Sequence, residues 1–161
     1  MECPDSNQKN SIILGESIVL VVKTNILIHR PLEEVVNFSA APDNAPLWYK
    51  NIDSAEWKTG QSLEVGNQIA FHAKFLGRDL AYTYEIKEFI PMKKLVMETA
   101  NGPFPMMTIY EWENDGPKST KMSLINQGTP TGFSILAKPF MGLMMKRANE
   151  KDLQLLKKIM E

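Results

Sequence analysis

Between Ser54 and Gly128 the apolar residues keep a period of two. The stretch "NQIAFHAKFLG" puts Ile69, Phe71, Ala73 and Phe75 on one side, and Gln68, His72 and Lys74 on the other. "DLAYTYEIKEF" repeats the pattern with Leu80, Tyr82, Tyr84 and Ile86, and "MMTIYEWEN" does so with Met106, Thr108, Tyr110 and Trp112. The breaks between these runs are short: one at Gly77, then "NGPFP" and "DGPKS". Alternating strands joined by such turns form an antiparallel sheet with one apolar face. That face has to be covered. Only the closing stretch, "GFSILAKPFMGLMMKRANEKDLQLLKKIME", is long enough to cover it.

The remaining segments fit around this sheet. "ESIVLVVKTNILI" reads as a first strand with Val22, Thr24, Ile26 and Ile28 on its buried side. In "HRPLEEVVNFSA", Pro31 suits a helix start, and Glu33 and Glu34 favour the positive end of that helix. "APDNAPLWYKNI" is broken by Pro42 and Pro46 and reads as a turn and a short helix carrying Trp48. "SAEWKT", "PMKKLVMETA" and "TKMSLINQG" supply further strands. Pro139 is well placed as an early residue of one long final helix. The order predicts an α+β fold: one strand, two short helices, the rest of about seven antiparallel strands, then a long C-terminal helix.

Composition removes several function classes. The 161 residues carry 18 basic and 19 acidic side chains, well mixed, and no basic face marks a nucleic-acid partner. The apolar run from Phe133 to Met145 contains Lys138 and Pro139 and is too short to span a membrane. Cys3 is the only cysteine, so no intrachain disulfide or thiolate cluster can form. His29 and His72 fall on separate elements without ligand spacing, so no metal site and no cofactor are expected. The N-terminus lacks a basic region ahead of an apolar run, which predicts a cytoplasmic protein.

Strand phase also says what faces inward. The inward set includes Phe71, Tyr82, Tyr84, Met97, Met106, Thr108 and Tyr110, with Trp48 beside it. The facing helix stripe is read as Leu136, Phe140, Met144, Ala148 and Leu155. Packed core explains such residues one at a time. Taken together, buried tyrosines need hydroxyl partners, and ten methionines offer an adaptable lining. A pocket of roughly 300–1,000 Å³ accounts for both. His72, Glu98 and Glu111 phase outward, which leaves no acid–base pair inside. Arg147 either caps the pocket mouth against a ligand carboxylate or forms a surface ion pair with Glu150 or Glu111. "NGPFPMM" is either a lip at the entrance or a plain hairpin.

The sequence also resembles a known superfamily. In "ILIHRPLEEVVNFSAAPDNAPLWYKNI", the residues Ile28, Pro31, Val35, Asp43 and Trp48 match the opening of START-like (SRPBCC) proteins, the polyketide cyclase/dehydrase and lipid-transport group. "YEIKEFIPMKKLVME" resembles their strand–Pro–strand link, and "LAKPFMGLMMKRANEKDLQLLKKIME" resembles their closing helix. The resemblance implies a helix-grip fold of the Bet v 1-like kind, a bent sheet wrapped round the C-terminal helix with a ligand cavity between them. It covers about Ile18 to Glu161, and the polar start makes residues 1–15 a flexible segment ahead of one domain, residues 16–161. It carries over no catalytic residue. Three functions follow as expectations: binding of a hydrophobic or aromatic small molecule, a cyclase/dehydratase-type enzyme, or a protein-interaction module with a filled core. An exposed sheet face or edge strand leaves room for a homodimer.

Overall fold

The computed structural model describes residues 11–14, 17–75, 77–129 and 138–161. The first long strand is β2 (Ser17–Ile28), preceded by a short strand β1 (Ser11–Leu14). Helix α1 (Leu32–Ser39) follows, then a 3-10 turn over Pro42–Asn44 and helix α2 (Ala45–Trp48). Six strands come next: β3 (Ile52–Thr59), β4 (Gln68–Phe75), β5 (Arg78–Ile90), β6 (Lys94–Asn101), β7 (Met106–Asn114) and β8 (Thr120–Gly128). Helix α3 (Lys138–Met160) ends the chain, with Pro139 as its second residue.

All eight strands form one sheet in the order β1-β2-β8-β7-β6-β5-β4-β3, with every neighbouring pair antiparallel. The seven expected strands are β2 to β8. β1 adds an eighth within the segment that the alternation left unassigned. Gly77, at φ +75°, lets β4 return directly into β5. Register shifts in β5 at Thr83/Tyr84 and at Ile86/Glu88 bend its 13 residues. β3, on the sheet edge, is interrupted in the same way. The sheet therefore curves, and its inner face is continuous across strands. Phe71 pairs with Tyr82, Ile86 with Met97, Met97 with Thr108, and Leu95 with Tyr110.

The core lies between this face, α1, α2 and the second half of α3, where Leu153 and Leu156 are fully enclosed. Beneath α1, Trp112 Nε1 donates to Ser39 Oγ at 3.0 Å, and Ser39 Oγ donates to Val35 O at 2.6 Å. Ser39→Ala strands the buried indole N–H. An unpaired buried donor costs about 1–3 kcal/mol, which urea unfolding will read as a lower midpoint. A midpoint shift worth less than about 0.5 kcal/mol means that the bond contributes nothing net.

The far end of α3 is tied to the end of β2. Glu161 Oε1 accepts from His29 N at 2.7 Å and lies 2.8 Å from His29 Nδ1, and Lys157 Nζ donates to Leu27 O at 2.6 Å. The His29 backbone N–H, with smaller help from Lys157 and the His29 ring, holds the Glu161 carboxyl at about 2. This clamp fixes the helix axis over the sheet, which positions the cavity described next.

Candidate functional site

The N-terminal half of α3 and the inner face of β4 to β7 do not close on one another. They leave a cavity of about 160 Å³. Its walls are Phe71, Ala73, Phe75 and Leu80, with Tyr82, Tyr84, Met97, Met106 and Phe104 further round. Tyr49 and Ile52 close one side, and α3 contributes Met145, Ala148, Asn149 and Asp152. The exposed residues Asn51 and Lys74 line its rim, where Lys74 N donates to Asn51 O at 2.8 Å. A void of about 20 Å³ adjoins it, lined by Leu20, Met141 and Gln127 and sharing Phe104, Met106 and Met145. The main cavity is smaller than the range expected from the sequence.

Its aromatic wall is ordered by ring contacts. Phe71 stacks on Tyr82 at 5.4 Å, and Tyr82 meets Tyr84 edge-on at 5.2 Å. The hydroxyls are largely spent on one another. Tyr49 and Tyr110 share a hydrogen bond of 2.7 Å. Thr108 Oγ1 donates to Asn126 Oδ1 at 2.9 Å, so it accepts from Tyr84, also at 2.9 Å. Burial pushes the Tyr84 hydroxyl up to about 12, against the bond to Thr108. Burial also raises Tyr49, Tyr82 and Tyr110, with Tyr110 adding to the rise at Tyr49. All four phenols stay protonated.

Further unpaired polarity sits on α3. Asn149 and Asp152 are each 5% exposed, and both line the cavity. Asn149 Nδ2 has no hydrogen-bond partner among the described residues. Asp152 Oδ1 accepts from Lys50 N at 2.9 Å. Burial raises the Asp152 carboxyl to about 6, with the Lys50 backbone bond opposing the rise.

The family model described as "Polyketide cyclase / dehydrase and lipid transport" matches residues 20–161. The chain belongs to that family. Solved structures share the fold of this family member at low identity. An aromatase/cyclase from Streptomyces sp. R1128 is 12% identical, with a TM-score of 0.72 over 87% of this chain and 92% of that one. A START superfamily protein from Mycobacterium smegmatis is 13% identical, with a TM-score of 0.63 over 86% and 92%. The major latex-like protein 151 of Panax ginseng is 10% identical, with a TM-score of 0.59 over 83% and 97%. No curated protein matches the sequence. The bent sheet wrapped round α3 is the helix-grip fold.

Of the residues expected to line a cavity in this family member, Phe71, Tyr82, Tyr84, Met97, Met106, Thr108 and Tyr110 do so. Trp48 does not. It is fully buried behind the wall, 5.8 Å ring to ring from Tyr110, and its Nε1 has no partner among the described residues. Phe140 and Met144, 65% and 39% exposed, lie on the solvent side of α3, and Arg147 is exposed too. Leu136 lies outside the described residues. Glu111 is taken by Lys23 at 3.3 Å, not by Arg147. Phe104, from the "NGPFPMM" loop, does reach the cavity. The sequence reading missed Tyr49, Asn126, Asn149 and Asp152. Asp152 is a single carboxylate in the lining, with no second carboxylate and no histidine among the described residues around the cavity. The missed helix residues are polar members of a three-to-four-residue stripe that also holds Met145 and Ala148.

No described helix is long and apolar enough to cross a membrane.

Proposed function

We propose that this chain binds a compact hydrophobic or aromatic small molecule between α3 and the sheet. The observation that carries the reading is the gap itself, together with a wall in which the Tyr49, Tyr110, Tyr84 and Thr108 hydroxyls already bond to one another and, among the described residues, only the Tyr82 hydroxyl is left over. Such a wall offers little to a strongly polar guest and much to an apolar one. Each Å² of apolar ligand surface removed from water contributes roughly 25 cal/mol before the costs of binding. A dry apolar cavity of about 150 Å³ accepts benzene. The 160 Å³ here therefore suits a single ring with short substituents. Met97, Met106 and Met145 can yield further space by changing rotamer.

Two measurements test this. Native mass spectrometry of the purified protein is expected to show an adduct or to accept a one-ring probe such as isopropylbenzene. Ala148→Phe puts a ring into the cavity from the helix side and is expected to weaken that probe at least about tenfold, with the fold retained. Unchanged affinity in Ala148→Phe means that the probe binds elsewhere. A chain that takes up nothing favours the interaction-module alternative.

Asp152 favours a second reading, a cyclase/dehydratase-type enzyme in the same cavity. A buried carboxyl with a raised pKa is a usable proton acceptor near neutral pH. Turnover of a poly-β-keto substrate that disappears in Asp152→Asn supports it. Binding without turnover leaves the carrier reading.

A further inference from the structure

We infer that the Asn149–Asp152 corner selects neutral ligands that carry a hydrogen-bond donor next to a carbonyl oxygen, as in a carboxamide or an enolised β-dicarbonyl; this rests on the small-molecule reading of the cavity. The two residues stand three apart on α3 and so share a face. Both are almost fully enclosed, and both line the cavity. Buried amide donors are rarely left without a partner, yet Asn149 Nδ2 has none among the described residues. A ligand carbonyl is the acceptor it lacks.

Asp152 supplies the opposite half. Lys50 N occupies Oδ1 and leaves Oδ2 to accept from a ligand O–H or N–H. Most of the wall beyond is already committed, since Tyr49 is bonded to Tyr110, and Tyr84 and Thr108 are bonded in a chain to Asn126, which leaves the Tyr82 hydroxyl as its one uncommitted polar group among these. The corner therefore offers one donor and one acceptor about a helical turn apart, set in apolar surroundings. A ligand with both groups satisfies both. A carboxylate ligand brings no donor and places its charge against that of Asp152 where little water screens it. The groups that face Asp152 are Lys50 and Tyr49 from the α2–β3 connection and Tyr110 from β7, with Lys74 of β4 at the cavity rim. Lys50 and Lys74 are exposed and leave the carboxylate's charge largely uncancelled.

Four one-ring probes of similar shape separate the terms: benzamide, acetophenone, benzoate and isopropylbenzene. They are titrated into the full chain by calorimetry or by protein NMR shifts. Benzamide is expected to bind at least about tenfold more tightly than benzoate at pH 8, with the gap narrowing at pH 5, where Asp152 takes up its proton. Asn149→Leu keeps the volume and removes the donor. It should weaken benzamide and acetophenone about tenfold relative to isopropylbenzene. Asp152→Asn keeps an acceptor for Lys50 N and should erase both the benzoate penalty and its pH dependence. Should that variant fold poorly, Asn149→Leu and the pH series on the unaltered chain still decide the matter. Benzoate binding as tightly as benzamide at pH 8 overturns the inference, as does an Asn149→Leu effect equal for all four probes. In either case isopropylbenzene binding leaves the cavity reading standing. If isopropylbenzene fails to bind up to its solubility, the cavity reading itself falls and the inference with it.

Discussion

Met141→Asp is expected to cost about 3 kcal/mol and to lower the thermal midpoint by roughly 6–12 °C, while Phe140→Asp leaves stability within about 0.5 kcal/mol. The two residues are neighbours in sequence and both are large and apolar. They differ in what surrounds them. Met141 is 3% exposed, beside Leu20, Met106 and Met145. Phe140 is 65% exposed. A charge at position 141 must be taken out of water, whereas one at position 140 stays hydrated. Thermal melts of the two variants side by side check this. Equal losses would mean that the first turns of α3 sit in a different rotation about their axis.

That rotation is where the sequence was hardest to read. From Phe140 to Met145 the helix is apolar on nearly every side, so periodicity alone does not choose a face. Following only apolar residues leads from Phe140 to Met144 and Ala148. The buried stripe instead runs through Met141, Met145, Ala148, Asn149, Asp152, Leu153 and Leu156. Two of its members are polar and drop out of any apolar count. Gly142 carries the missing signal. A Cβ there would lie 3.2 Å from Leu20 Cδ1, so the helix comes close to β2 on that side and the glycine belongs to the inner face.

The sheet was far easier to read. A strand side chain has only two directions available, and turn residues fix where each strand ends. The alternation of Phe71, Tyr82, Tyr84, Thr108 and Tyr110 therefore placed the concave wall correctly from sequence alone. It could not foresee that these hydroxyls would bond chiefly to one another, because pairing across strands depends on register. Nor could it place Tyr49, which comes from the connection after α2 and reaches Tyr110 only once the chain has folded. The opening motif with Trp48 was legible as fold and misleading as site: its indole packs behind the wall and supports Tyr110 from there.

Asp152→Asn is expected to make the protein more stable at neutral pH, by up to about 3 kcal/mol, and to lose that advantage in acid. The folded-state carboxyl titrates at about 6 against an ordinary value of 3.8, because burial disfavours its charge. Below about pH 3 it is protonated in the folded and the unfolded chain alike and contributes no difference. As pH rises from about 3 to about 6, the unfolded chain gives up its proton ahead of the folded chain, so the unfolded state gains. Above about pH 7 the full gap is felt, and at 1.36 kcal/mol per pH unit it amounts to about 3 kcal/mol. Asparagine has no charge to bury, and its Oδ1 can still accept from Lys50 N. Denaturant unfolding of both proteins from pH 3 to pH 8 should therefore give curves that converge at the acid end and separate towards neutrality. Parallel curves would show that Asp152 is well hydrated in the folded state. Costs of this kind concentrate where a protein binds or reacts. The carboxyl that weakens the fold faces the cavity, and a neutral ligand donating to Oδ2 stabilises its charged form. Saturating benzamide should then shift the Asp152 titration downward and close part of the stability gap between the two proteins.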